Sequence, residues 1–84
     1  MSKQNFGEWM LRRARGVIEE YVRGVKKRAS DINWVIGVLK GAFGVSNNEA
    51  LMLIGQIRTD RAFLLDSKRL ERIEELDRRI RAGA

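Results

Sequence analysis

The sequence predicts an all-α fold, a small four-helix domain with a long amphipathic basic first helix and a buried apolar second helix. Three observations predict it. There is no proline in 84 residues, so no helix is forced to break. Apolar residues recur at spacings of three and four rather than alternating. The chain is also rich in Leu, Ile, Arg, Glu and Ala, which suit helices. Its length makes one domain, residues 1–84, and not two. Neither cysteine nor histidine is present, so disulfides and the usual zinc and haem ligand sets are missing. No cofactor is expected, and packing must hold the fold.

The first helix is expected at about residues 5–28. Phe6, Met10, Ala14, Val17, Tyr21, Val25 and Ala29 form its apolar stripe, flanked by Trp9, Ile18 and Val22. Gly16 and Gly24 weaken it by about 1 kcal/mol each relative to alanine, so tertiary packing must hold it or it bends there. Ser30 or Asp31 then caps a second helix, DINWVIGVLKGAF, apolar on all but a narrow face of Asn33, Gly37, Lys40 and Gly41. This helix is expected to be the most buried element, its two glycines letting a neighbouring backbone come close. The apolar region 32–45 is well short of the roughly 20 residues that cross a bilayer. No transmembrane span is expected. The N-terminus lacks the unbroken apolar stretch of a signal peptide, and a cytoplasmic location is the expectation.

Gly44 ends the second helix in the manner of a left-handed cap, and Ser46 with Glu49 three residues on forms a capping box for the third. The third helix presents Ala50, Leu51, Leu53, Ile54 and Ile57 on one side and Asn48, Met52, Gln56 and Thr59 on the other. Running on to Leu65 would bring Arg58 and Arg61 into the apolar stripe, so a break near Thr59 and Asp60 is expected, with residues 62–65 as a connector. Asp66 or Ser67 opens the fourth helix, whose stripe is Leu70, Ile73, Leu76 and Ile80. Acid-first pairs at Glu74 and Arg78, Glu75 and Arg79, and Asp77 and Arg81 flank it. The stripe either packs within the chain or is a seam for a homo-oligomer through the fourth helix; two heptads favour the former.

Catalysis is poorly supplied. Histidine and cysteine are absent, and Ser30, Ser46 and Ser67 are accounted for as caps. The adjacent acids Glu19 and Glu20, or Glu74 and Glu75, point about 100° apart on a helix and do not converge. No catalytic residue, metal ligand or enzymatic activity is expected.

Charge is more informative. The net +6 is uneven: residues 1–29 hold eight Lys or Arg against three Glu, whereas 30–59 balance and 60–84 carry seven basic against six acidic. Arg12, Arg15, Arg23 and Lys26 line the first helix opposite its stripe, with Arg13 and Lys27 at the margin. They span about 22 Å at 1.5 Å per residue, enough to touch several phosphates of one strand. Glu8 and Glu19 each precede an arginine by four, so part of this charge is spent internally. The aromatic residues fall on or beside apolar faces, which argues against base stacking and favours duplex DNA or an acidic protein surface.

The second and third helices have the spacing of a helix-turn-helix, in which Asn47, Asn48, Met52, Gln56 and Arg58 would read bases, supported by Arg61, Lys68 and Arg69. The chemistry fits poorly. The third helix has one basic residue and carries Glu49 near its positive end, and aligning the motif's glycine on Gly41 or Gly44 puts Lys40 or Asn47 where apolar residues belong. It reads as a core helix. The expected function is a non-enzymatic binding protein that contacts nucleic acid, chiefly the duplex DNA backbone, through Arg12, Arg15, Arg23, Lys26 and Lys27. The alternative is an interaction module or inhibitor that grips an acidic protein partner or self-associates.

Overall fold

Among the described residues four helices form in the order the sequence predicts. The computed structural model describes residues 3–24 and 31–83, with side chains from residue 7 onward. They are α1 (Lys3–Arg23), α2 (Ile32–Gly37), α3 (Asn47–Asp60) and α4 (Ser67–Arg81). α2 runs directly into a wider π-helical turn, Val38–Ala42, and a 3₁₀ turn at Ala62–Leu64 joins α3 to α4.

The helix boundaries follow from local chemistry. α1 stops at Gly24, whose φ of +67° is left-handed and costs an L side chain energy that glycine avoids. The expected continuation to residue 28, with Val25, Lys26, Lys27, Ala29 and the Ser30 cap, lies outside the described residues. Asp31 caps α2 by accepting from the Asn33 backbone N–H at 3.0 Å. Gly44, at φ +61°, turns the chain after the π-helical segment. Ser46 and Glu49 form the expected capping box: Ser46 Oγ accepts from the Glu49 N–H at 3.1 Å, and the Glu49 carboxylate accepts from the Ser46 N–H at 2.9 Å. Asp66 caps α4 through the Arg69 N–H at 3.0 Å. The break after Asp60 falls where the charge pattern requires it.

The core is a single cluster drawn from all four helices. Ala14, Ile18, Tyr21 and Val22 come from α1, Val35 and Ile36 from α2, and Leu39 from the π turn. Ala50, Leu53, Ile54 and Ile57 come from α3, and Ile73, Leu76 and Ile80 from α4. Backbones approach most closely where α3 meets α4 and where both meet α1, and α2 lies against α1. The centre is therefore made by α1, α3 and α4 and is not built around α2. Nor is α2 the most buried element: Asn33, Trp34, Gly37, Lys40 and Gly41 are exposed. A Cβ placed on Gly37 or Gly41 would meet nothing within 4 Å. These glycines face open space rather than a neighbouring backbone, because the helix is pinned by its opposite side alone.

α4 spends its narrow stripe inside the chain. Ile73, Leu76 and Ile80 are at most 2% exposed, leaving only Leu70 of the four partly open at 39%. The oligomer seam expected as an alternative therefore has little apolar surface left to offer. Of the acid-first pairs, Asp77 with Arg81 forms. Arg78 turns instead to Glu75 at 2.5 Å, and Arg79 donates to Asn33 Oδ1 at 2.5 Å, tying the end of α4 to the start of α2.

No helix among the described residues is long and apolar enough to cross a membrane.

Candidate nucleic-acid interface

The buried side of α1 decides which residues are left to make a site. Ala14, Ile18, Tyr21 and Val22 are buried, and Leu11 and Val17 pack against the core from either flank. At 100° per residue this face is turned by roughly 40° from the stripe read in the sequence. The turn carries Trp9 out of the apolar side. Its indole is 50% exposed, on the solvent face with Arg12, Arg13, Gly16, Glu20 and Arg23. Both tryptophans depart from expectation, since Trp34 of α2 is also 37% exposed.

Three cations hold this face. Arg12, Arg13 and Arg23 are exposed, and the side chains of Arg12 and Arg23 make no ion pair or hydrogen bond among the described residues. They stand eleven residues apart, about 16 Å along the helix. The Arg13 guanidinium lies over the Trp9 ring, 5.5 Å from its centre, a cation–π contact that holds both side chains near one geometry.

Arg15, expected in the same row, turns toward α3. Its guanidinium reaches the Asp60 carboxylate at 3.1 Å, Gln56 Oε1 at 3.4 Å and Glu19 at 3.7 Å. Glu19 in turn accepts from Arg61 at 3.1 Å. The acid expected to pair with Arg23 therefore bridges two other arginines, and Arg15 and Arg61 act as a strap between α1 and α3. Lys26 and Lys27 lie outside the described residues.

The secondary contacts separate as well. Asn48, Met52 and Gln56 are exposed on one side of α3, and Met52 and Gln56 share a groove of about 260 Å³ with Glu8, Leu11, Arg12 and Arg15. Arg58 leaves that side to bind Asp77 of α4 at 3.2 Å. Arg69 donates to the Leu64 carbonyl at 3.2 Å and so closes the connector, while Lys68 stays exposed. α3 is packed on α1 and α4, so α2 does not brace it as a helix-turn-helix requires.

A second hollow, about 370 Å³, opens on the solvent face of α1. Arg12, Arg13, Gly16, Val17, Glu20 and Phe43 line it. A Cβ at Gly16 would meet no atom within 4 Å. Sequence spacing placed Arg13 only at the margin and gave Gly16 no role beyond weakening the helix. The signal that would have found them was Leu11 and Val22, whose burial rotates the face.

No family model, curated protein or solved structure matches the chain. The reading of this face therefore rests on its own chemistry.

Proposed function

We propose that this chain is a non-enzymatic binding protein that grips the phosphate backbone of a nucleic acid, with duplex DNA as the reference partner, through the solvent face of α1. The observation that carries this reading is the pair Arg12 and Arg23, exposed and uncompensated by acids among the described residues. Flexible exposed cations along one helix suit a row of phosphates, and their release of counterions makes such binding fall steeply with salt. Arg13 adds a third charge on the same face.

The test is fluorescence anisotropy of a labelled blunt duplex between about 50 and 200 mM salt. Binding should weaken steeply over this range. In an Arg12→Ala, Arg23→Ala variant the slope of log affinity against log salt should flatten by roughly 2. Arg15→Ala should act mainly on stability, because that guanidinium is held within the chain. Absence of duplex binding at the low-salt end would overturn the proposal.

A second reading draws on the groove between α1 and α3. Leu11, Met52 and Leu53 line it beside the cations Arg12 and Arg15, a combination that suits an acidic amphipathic helix of a protein partner. Recovery of a partner after nuclease treatment, lost in Met52→Asp but kept in Arg23→Ala, would favour it over the first.

A further inference from the structure

We infer that Asp60 withholds Arg15 from the phosphate grip of α1, an intramolecular carboxylate occupying the guanidinium that a phosphate would otherwise take. Freed of it, Arg15 becomes a further backbone contact between Arg12 and Arg23. This inference rests on the phosphate-gripping reading above and supplies its regulation.

Arg15 follows Arg12 by three residues, about 4.5 Å along α1 and roughly 60° around it, and the two line one groove. It therefore stands in the stretch between Arg12 and Arg23, beside the path of a strand held by both. A guanidinium fork donates to carboxylate and phosphate oxygens in the same way, and the nearest acceptor of Arg15 is Asp60 Oδ2 at 3.1 Å. Gln56 Oε1 at 3.4 Å and Glu19 at 3.7 Å are more distant.

Asp60 is poorly placed for the helix that carries it and well placed as a brake. It is the last residue of α3, where the helix dipole disfavours a negative charge. Among the described residues its carboxylate pairs with Arg15 alone. More than half of that side chain is exposed, and an ion pair so open is weak and exchanges readily. Release strands no charge: Asp60 returns to water, and Glu19 keeps Arg61 at 3.1 Å. Half of the strap between α1 and α3 thus stays closed while Arg15 changes partner.

The test is anisotropy of a labelled blunt duplex between about 50 and 200 mM salt, on wild type, Asp60→Asn, Arg15→Gln and the double variant, each checked for helicity and urea midpoint. Asparagine keeps the size of aspartate, removes the unfavourable charge from the helix end and leaves a neutral acceptor about half as strong, which a phosphate displaces. Asp60→Asn should bind roughly threefold more tightly at the low-salt end, with a slope of log affinity against log salt steeper by roughly 0.9, the increment of one added phosphate contact. Asp60→Ala, which leaves no acceptor, should do the same. Arg15→Gln alone should stay within about twofold of wild type, and in that background Asp60→Asn should lose its gain.

A gain that persists without Arg15 would be long-range charge alone and would overturn the inference. So would unchanged affinity in both Asp60 variants, or a loss in Arg15→Gln as large as that in Arg12→Gln, since Arg15 would then already be in contact. Each of these leaves the phosphate reading in place. If the wild type binds no duplex at the low-salt end, that reading falls and the inference with it.

Discussion

Gly24 occupies a position where two separate constraints meet. Its φ of +67° is left-handed, and a Cβ there would lie 2.1 Å from the Arg72 guanidinium, which donates to the Val22 carbonyl at 3.1 Å and so closes the C-terminus of α1. Gly24→Ala should therefore destabilise by more than the roughly 1 to 2 kcal/mol of left-handed strain alone. In an Arg72→Ala background its cost should fall back to that strain, which a double-mutant cycle by urea unfolding measures. Tyr21 supplies a second residue-scale test. Burial, aided by the Glu75 carboxylate and opposed by Arg72 and Arg79, raises its phenol above the usual value near 10. A raised pKa in the folded state means that stability is complete below the unfolded value and is lost as pH climbs toward the folded one. As the chain has one tyrosine, its phenolate absorbance should appear later than in the urea-unfolded chain, and an unshifted midpoint would refute this.

At the scale of the helix, caps were legible and faces were not. Asp31, Ser46 and Asp66 cap as read, because a cap is a contact among residues two or three apart and needs no distant partner. Ser46→Ala should cost about 1 kcal/mol and return Glu49 toward its ordinary pKa. The backbone and hydroxyl of Ser46 hold that carboxyl below the usual value near 4.3. A depressed carboxyl contributes stability above its unfolded pKa and loses it as pH falls through the folded one. The difference in stability between wild type and Ser46→Ala should thus shrink below about pH 4. The faces needed tertiary information. Met10 and Leu11, or Tyr21 and Val22, are neighbours of similar apolarity, so periodicity alone left the buried side of α1 uncertain by nearly half a residue step. That ambiguity sent Trp9 inward on paper. The ion pairs failed for a related reason: Glu19 sits between α1 and α3, and two arginines reach it more readily than Arg23 does.

For the whole molecule, the sequence was sufficient for helix number, order and turns, and insufficient for which helices sit at the centre. The apolar richness of α2 suggested a buried hub, yet α4 with its sparse stripe contributes side chains as deeply buried as any. Density of apolar residues measures what could be buried; position between two partners determines what is. A domain of this size has a stability on the order of 4 to 12 kcal/mol, against which truncation of a fully buried leucine is large. Leu76→Ala should cost roughly 2 to 5 kcal/mol, whereas Leu70→Ala, on the same helix but 39% exposed, should cost much less. Equal losses in urea midpoint would mean that α4 is seated differently. As for the candidate site, Arg12 and Arg23 were visible from charge spacing, whereas Trp9 and the Gly16 hollow emerged only once the face was fixed.

The π turn after α2 bears on chain length rather than residue identity. The Phe43 N–H reaches back five residues to the Val38 carbonyl and the Val45 N–H six residues to Leu39, one more than the closing bond of an ordinary glycine-capped helix end. The turn thus holds one residue in excess of α-helical need, and Gly41 is exposed there with no neighbour to lose. Deleting it would let α2 close as a regular helix while Gly44 and the Ser46 cap keep their places. The segment is a point at which this fold can change its length by one without changing its shape.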